Sequence, residues 1–340
     1  MFQSLRSFKG ATIVMLLMLL LAACGTTSAT GGATTTTTTT GTSSQSTSSN
    51  QVTSGNAAKI ALVTINLQAL FFVQMLDGAK QEAQKDHASL LVYNSNNDPS
   101  AESNAIDNYV QQKVDAIIVD AIDVNGIKPA IERAAKAHIY VVAVDSVVTD
   151  PAVSTQVGVD NCNAAQQLST SFENWSSQKG LSHPKMGVVG ALNSMIQNQR
   201  KDCFVNAVQT KGASVLQTVD GQNQNDVAQT AAQNLYTANP NMDVVYATGE
   251  PALIGSIAAA RSQGKTNIPI FGWDLSKESI TGIDDGFVIA VVQQDATGEG
   301  VQSVDAAIKL KAGQTVAKNI NVPVTIVTKA NVDKFRSQFN

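Results

Sequence analysis

The chain has 340 residues, of which 43% are hydrophobic and 15% charged, and its formal net charge is −4. This length is more than one hydrophobic core usually holds, so we expect more than one domain. A mildly acidic chain without a basic stripe argues against nucleic acid as a partner.

The chain begins with the features of an export signal. Arg6 and Lys9 precede an uncharged apolar run over residues 11–21 that ends in small residues. A bilayer crossing takes about 20 residues, so this run is too short to be a membrane span. We therefore predict a signal peptide over residues 1–23.

The end of this signal, LAACG at residues 21–25, resembles the lipobox of bacterial lipoproteins. The resemblance implies that Cys24 is lipidated and becomes the new N-terminus, anchoring the protein to the outer face of the cytoplasmic membrane. Cleavage there removes Arg6 and Lys9 and no acid, which takes the formal charge from −4 to −6. The alternative is an ordinary secretory signal with an accidental cysteine.

Residues 24–57 are mostly Thr, Ser, Gly, Asn and Gln. Such a segment buries too little apolar surface to offset its backbone entropy, so we predict a disordered tether. Two cysteines follow, Cys162 and Cys203, and in an exported protein they either form a disulfide or stay unpaired and buried. The three histidines are scattered and show no metal-ligand spacing, so we predict no metal site and no cofactor.

From residue 58 onward, short β-branched runs alternate with amphipathic helical stretches. The runs begin near residues 59, 89, 114 and 139, and again near 185, 213, 243 and 268. Near-continuous Val, Ile and Ala strands separated by helices indicate parallel sheets covered on both faces. We predict an α/β fold of two similar doubly wound, Rossmann-like lobes with a multi-strand hinge and a ligand cleft between them.

The C-terminal part adds a strand (VIAVVQQD), a helix near residues 297–311 and a last strand (NVPVTIV), which together could cross between the lobes. We expect an N-terminal lobe of residues 58–160 plus about 295–322. The C-terminal lobe is then about 161–294 plus 323–340.

In open parallel sheets, ligands bind beyond the carboxyl ends of the strands. This rule selects a set of polar and aromatic residues: Asn66, Asn94, Asn96, Asp120, Asp123, Asp145, Asn193, Asp220, Glu250, Trp273, Asp274, Gln293, Gln294 and Asp295. Carboxylates and amides suit vicinal hydroxyls, and an aromatic face covers the C–H face of a sugar ring. Any one Asp or Asn among them could instead be an ordinary turn or N-cap residue.

Several segments together resemble the ribose-binding family of type I periplasmic binding proteins, the sugar-binding subunits of ABC importers. The resemblance covers nearly the whole region after residue 58. It is carried by IALVTINLQALFFVQMLDGAKQEAQK, VDAIIVDAIDVNGIKPAIERAAKAHIYVVAVDS, QVGVDN, Arg200-x-x-x-Phe204 and FGWD.

We predict that nine residues bind the solute: Asn66, Phe71, Phe72, Asp145, Arg200, Glu250, Trp273, Asp274 and Gln294. The resemblance implies seven of them, whereas Asn66 and Glu250 come from the strand-end rule alone. Phe71 and Phe72 would sandwich the sugar ring, and Asp145 would bind two hydroxyls. Arg200 would donate from the other lobe, and Trp273 would stack on the ring. The alternatives are a buried helix start for the two phenylalanines and a solvated charge for Arg200.

Four positions depart from the family pattern. Ser146 stands where ribose binders have arginine, Ala69-Leu70 replaces Asn-Pro, Gly249-Glu250 replaces Asn-Asp, and GQNQND replaces an aromatic near Asn223. A site built around specific hydroxyls rejects analogues that leave its polar groups unpaired. We therefore expect a sugar or sugar-like solute other than ribose.

The chain contains no GxSxG or HExxH motif, so we predict a binding protein and not an enzyme. The family implies a monomer that closes around a solute and delivers it to an ABC permease and its ATPase. Two alternatives stay open: a ligand-binding accessory of a sensory receptor, and a binder of a non-sugar such as an autoinducer or nucleoside.

Overall fold

The computed structural model describes residues 57–67 and 70–339. The predicted signal peptide, Cys24 and the predicted tether up to residue 56 lie outside the described residues. The described residues belong to one compact unit. Among the described residues, no helix combines the length and apolarity that crossing a bilayer requires.

The first half of this unit alternates strands and helices as the sequence predicts. Its elements are β1 (Lys59–Thr64), α1 (Leu70–Lys85), β2 (Ser89–Asn94), α2 (Pro99–Gln111), β3 (Ala116–Val119), α3 (Lys128–Lys136), β4 (Tyr140–Val144) and β5 (Thr155–Gly158). The start of α2 is set by Asp98, whose carboxylate accepts the backbone N–H groups of Ser100 and Ala101. Pro99 at the first helical position fits the same boundary.

The second half repeats the pattern. Its elements are α4 (Asn161–Gln178), β6 (Lys185–Gly190), α5 (Met195–Gln209), β7 (Ser214–Asp220), α6 (Asn225–Ala238), β8 (Val244–Ala247), α7 (Glu250–Ser262), β9 (Ile270–Trp273), α8 (Lys277–Asp285) and β10 (Val288–Gln294). Helix α8 begins at a capping box between Ser276 and Ser279. It ends at Gly286, whose φ of 84° lies in the left-handed region that glycine adopts without strain.

The last part of the chain contains one long helix and two short strands. They are α9 (Ala296–Lys311), β11 (Asn319–Asn321) and β12 (Val324–Val327), followed by 3₁₀ turns at Val332–Lys334 and Arg336–Gln338. The sequence predicts one final strand here, whereas the structure divides it at residues 322–323 between two sheets.

These strands form two six-stranded sheets of matching order, β11-β5-β4-β3-β1-β2 and β12-β10-β9-β8-β6-β7. All neighbouring strands are parallel except β10 and β12. The central strands β3, β8 and β9 are buried along their whole length because helices cover both faces. This arrangement confirms the predicted α/β fold with two similar sheets.

The chain passes from one sheet to the other after β5, after β10 and after β11. Helix α9 follows β10 of the second sheet but packs on α1 and on β3, β4 and β5 of the first. Two glycines allow this close approach, because a Cβ at Gly78 would clash with the Thr297 carbonyl and one at Gly300 with the Met75 carbonyl.

Candidate ligand-binding site

A cavity of about 1020 Å³ lies where the carboxyl ends of the two sheets face each other. Side chains from both sheets line it, so a solute bound there would contact both lobes. Of the nine residues predicted to bind the solute, eight line this cavity: Asn66, Phe71, Phe72, Asp145, Arg200, Glu250, Asp274 and Gln294.

Asp145 and Asp274 occupy equivalent positions, one after β4 and the other after β9. Both have left-handed backbones, with φ of 52° and 62°. Each donates its backbone N–H to the adjoining strand, Asp145 to the Val157 oxygen at 2.9 Å and Asp274 to the Val292 oxygen at 2.8 Å. Strained conformations of this kind are held by surrounding structure and concentrate at functional sites. The two sheets thus present one carboxylate each from matching strand ends.

Arg200 on α5 is only 4% exposed and connects the second sheet's polar residues. Its Nε donates to Asn161 Oδ1 at 2.8 Å, and Nη2 donates to Gln294 Oε1 at 2.9 Å. Nη1 lies 3.6 Å from Asp274 Oδ2, and Gln294 Nε2 donates to Asp274 Oδ1 at 2.9 Å. Arg200 is therefore a buried, fully engaged cation, and the alternative of a solvated helix-end charge does not hold.

Trp273 is the one residue of the implicated set that does not line the cavity. It is fully buried, its Nε1 donates to the Tyr246 hydroxyl at 2.9 Å, and the Arg200 guanidinium lies 4.0 Å from its ring centroid. Successive side chains of a strand point to opposite faces of the sheet, so the next residue, Asp274, faces the cavity and Trp273 does not. The Trp273 ring packs against the Arg200 guanidinium in a cation–π contact, and the predicted stacking of this ring on a sugar is not seen in this structure.

Phe71 and Phe72 begin α1 and face both the cavity and the core. Their ring centroids are 5.3 Å apart in an edge-to-face pair, and both rings are partly buried against the first sheet's core. Nearby, Asn66 Nδ2 donates to Asn97 Oδ1 at 3.2 Å. The two interpretations of the phenylalanines are therefore compatible, since the rings pack as a helix start and still line the cavity.

Burial raises the pKa of three carboxyl groups that line the cavity, those of Asp145, Glu250 and Asp274. The pKa of Asp145 rises to about 6, because burial and the negative charge of Asp274 outweigh the positive charge of Arg200. The pKa of Glu250 rises to about 7 through burial and the negative charges of Asp274 and Glu278. The pKa of Asp274 is raised mainly by burial, against which Arg200 and Gln294 act. The cavity thus holds carboxylates whose charges are poorly compensated.

A second layer of buried acids lies behind Asp145. Ser146 donates to Asp120 Oδ1 at 2.9 Å, whereas Asp120 Oδ2 and both Glu299 oxygens accept no hydrogen bond from the described residues. Burial raises the pKa of Asp120 and of Glu299 well above the usual range, so the folded state disfavours the charged form of both groups.

Glu102 on α2 holds the loop after β3, which forms one wall of the cavity. Its two oxygens accept the Ile122 N–H at 3.3 and 3.2 Å, and burial raises its pKa from 4.5 to about 7. The folded state therefore disfavours the charged form. Its contribution to stability is complete below about pH 4.5 and is lost as the pH rises through about 7.

We therefore expect Glu102→Gln to lose less stability than the parent protein between pH 5 and pH 8. The difference is about 2.5 kcal/mol, the part of the shift that titrates between these two pH values. Urea denaturation at several pH values measures this difference. The control is Glu132→Gln on α3, whose exposed carboxylate lies 3.7 Å from Lys136. Parallel stability curves for Glu102→Gln and the parent protein would contradict the prediction.

Sequence reasoning missed a polar group on the second lobe. Gln197 donates from Nε2 to Asn223 Oδ1 at 2.8 Å and accepts the Thr248 hydroxyl at 2.7 Å. Gln197 lies one helical turn before Arg200 on α5, and both Gln197 and Asn223 line the cavity. The i,i+3 spacing from Arg200 is the signal that could have identified Gln197.

Several strand-end acids and amides hold loops instead of facing the cavity. Asp220 accepts the N–H groups of Leu192 and Gln222, and Asp295 caps α9 through the Gly298 N–H. Gln293 accepts the Leu275 N–H at 2.8 Å. For Asp220 and Asp295 the turn and cap interpretation is the correct one.

The structure contains a disulfide between Cys162 and Cys203, with Cα atoms 5.2 Å apart. It joins the start of α4 to the middle of α5, and its cysteines lie next to Asn161 and three residues after Arg200. Within residues 57–67 and 70–339, no group of three or more His, Cys, Asp or Glu residues could hold a metal ion.

The sequence model of the periplasmic binding protein domain matches residues 60–315. The chain belongs to this family. Its members, of the ribose-binding type, are solute-binding components of transport systems and not enzymes, which confirms the prediction that this chain is not an enzyme.

Individual periplasmic binding proteins resemble the chain over most of its length. The ribose import binding protein of Bacillus subtilis is 28% identical over 282 residues, which are 81% of this chain and 90% of that protein. A glycerol-bound solute binding protein of Mycobacterium smegmatis has a TM-score of 0.75 at 24% identity, over 82% of this chain and 96% of that one. A D-allose complex from Actinobacillus succinogenes 130z has a TM-score of 0.74 at 21% identity, over 82% and 99%.

Proposed function

We propose that this chain is an extracytoplasmic solute-binding lipoprotein that captures a monosaccharide or sugar-like solute and delivers it to an ABC importer. The observation that carries the proposal is the cavity between the sheets, lined from both sides by carboxylates, amides and the two phenylalanines. Such groups suit a neutral or cationic polyhydroxylated solute. The names of the relatives point to the same class of ligand.

Capture follows from the division of the contacts between two lobes. Asp145 belongs to the first sheet, whereas Arg200, Asp274 and Gln294 belong to the second or to helices beside it. A solute satisfies both sets only when the lobes enclose it, so binding stabilises the closed arrangement. We propose that an ABC permease recognises this closed form and that its ATPase drives release.

The proposed location rests on the N-terminal sequence. Lipid on Cys24 would hold the mature protein at the outer face of the membrane, and residues 24–57 would give it reach. We propose two lobes, residues 58–160 with about 295–322 and about 161–294 with 323–340. Residues 294–295 and 322–323 are then crossing points between the lobes.

The proposed function is tested by a thermal-shift screen of the purified protein against pentoses, hexoses, polyols, furanosyl autoinducer analogues, nucleosides and amino acids. A ligand at 100 times its dissociation constant adds about 2.7 kcal/mol, which raises the melting temperature by several degrees. We expect a saturable shift with one carbohydrate class and its loss in Asp145→Ala.

The control is Asp77→Ala, which removes a carboxylate from the solvent side of α1, where its side chain is 57% exposed. This variant should keep the full ligand-induced shift. A shift with nucleosides or amino acids alone would overturn the carbohydrate assignment. A carbohydrate shift that survives Asp145→Ala would place the ligand outside this cavity.

A further inference from the structure

The ionisable residues that line the cavity are unbalanced in charge. Four are acids, Asp123, Asp145, Glu250 and Asp274, and one is a base, Arg200. When water is excluded, a neutral sugar would either leave this excess of negative charge in place or require a carboxyl group to take up a proton. A cation would offset it, because isolated charges are costly to bury unless they are paired.

Most of these groups already have partners in the protein. All the nitrogens of Arg200 face Asn161, Gln294 or Asp274. Asp274 in turn accepts from Gln294. Asp123 accepts the Asn125 N–H at 2.9 Å within its own loop. These contacts leave two carboxyl groups, Asp145 and Glu250, on which no hydrogen bond from the described residues acts.

The two remaining carboxyl groups differ in what surrounds them. The positive charge of Arg200 stabilises the Asp145 carboxylate. The charges that act on the Glu250 carboxylate are those of Asp274 and Glu278, and both are negative. Glu250 occupies the first turn of α7, so its main chain is fixed by the helix and its side chain lies on the cavity wall. Glu250 is therefore the cavity carboxylate without a compensating cation.

We propose that the solute carries a protonated amine on a polyhydroxylated skeleton, as in an amino sugar or aminocyclitol, and that Glu250 receives this amine. The inference rests on the proposed function and narrows its ligand class. An ammonium group both neutralises Glu250 and donates to it, and charge-assisted hydrogen bonds are roughly twice as strong as neutral ones. A sugar acid or sugar phosphate would instead add like charge beside three carboxylates.

The test measures calorimetric affinities of the full chain at pH 7 for matched sugars. The pairs are glucosamine with glucose, galactosamine with galactose, mannosamine with mannose, and scyllo-inosamine with scyllo-inositol, with glucuronate and galacturonate added. In the pair that binds best, we expect the amine to bind at least about tenfold more tightly than its hydroxyl parent. The two acids should bind most weakly.

Glu250→Gln and Glu132→Gln form the matched variants. Both remove one carboxylate charge without changing size, but Glu132 is exposed and does not line the cavity. We expect Glu250→Gln to reduce the preference for the amine about tenfold. Glu132→Gln should keep that preference within about twofold, as expected of a screened surface charge.

Two results separate the amine inference from the proposed function. If no amine binds more tightly than its parent, the inference is overturned, and binding of a neutral sugar would leave the proposed function standing with Glu250 protonated. If none of the sugars binds while a nucleoside or an amino acid does, both the inference and the carbohydrate assignment fail. An unchanged amine preference in Glu250→Gln overturns the assignment of Glu250.

Discussion

Arg200→Ala is expected to lower the free energy of unfolding by about 3–5 kcal/mol and to abolish solute binding. The side chain is 4% exposed and makes contacts with Asn161, Gln294 and Asp274. Its removal leaves the buried Asp274 carboxylate without its cation and both amides without a donor. It also opens a void above the Trp273 ring, where the guanidinium lies 4.0 Å from the centroid.

Arg261→Ala is the matched control in the same lobe. Arg261 also pairs with an aspartate, Asp285, at 2.7 Å and lies over the Phe287 ring at 5.4 Å, but its side chain is 43% exposed. Exposed pairs contribute about 0–1 kcal/mol, so this variant should unfold nearly like the parent protein and bind solute normally. Urea denaturation and calorimetry measure both quantities.

Arg200→Lys keeps the positive charge and provides a second variant to measure if Arg200→Ala does not fold. An ammonium cannot reproduce the planar fork that reaches Asn161 and Gln294 together. We therefore expect stability between those of the parent protein and Arg200→Ala, with solute affinity still reduced. If Arg200→Ala bound solute as tightly as Arg261→Ala, Arg200 would have no part in the site.

Gly300→Ala is expected to destabilise the protein by about 2 kcal/mol, since overpacking against backbone should reach the upper end of about 1–3 kcal/mol and the helix gains at most about 1. A Cβ at this position would clash with the Met75 carbonyl and lie 2.7 Å from the Ala79 nitrogen. These are backbone atoms of α1, so no side-chain rotation can relieve the contact. The helices must separate instead.

The same substitution should also weaken solute binding, because α9 starts directly after Gln294 and Asp295. A displaced α9 moves the crossing point from which Gln294 reaches Arg200. The control is Gln302→Ala on the exposed side of α9, which should change neither property. Equal urea midpoints for Gly300→Ala and Gln302→Ala would contradict the close packing of α1 and α9.

The order and type of the main elements could be predicted from the sequence. The central strands are continuous apolar runs, as in β3 (AIIV) and β8 (VVYA), because both faces of each sheet are covered. Boundaries marked by local chemistry, such as Asp98 before α2, were also predictable. Eight of the nine implicated site residues lie in one cavity because parallel strands end at the same edge of a sheet.

Periodicity and local propensity are enough to predict the α/β class, the two repeats and the edge of each sheet at which the cavity forms. The position of Trp273 beneath Arg200, the contact of Gln197 with Thr248 and the division of the last strand between two sheets do not follow from them. Those features depend on which distant segments meet. The direction of a side chain at a strand end is set by these contacts and not by the residue type.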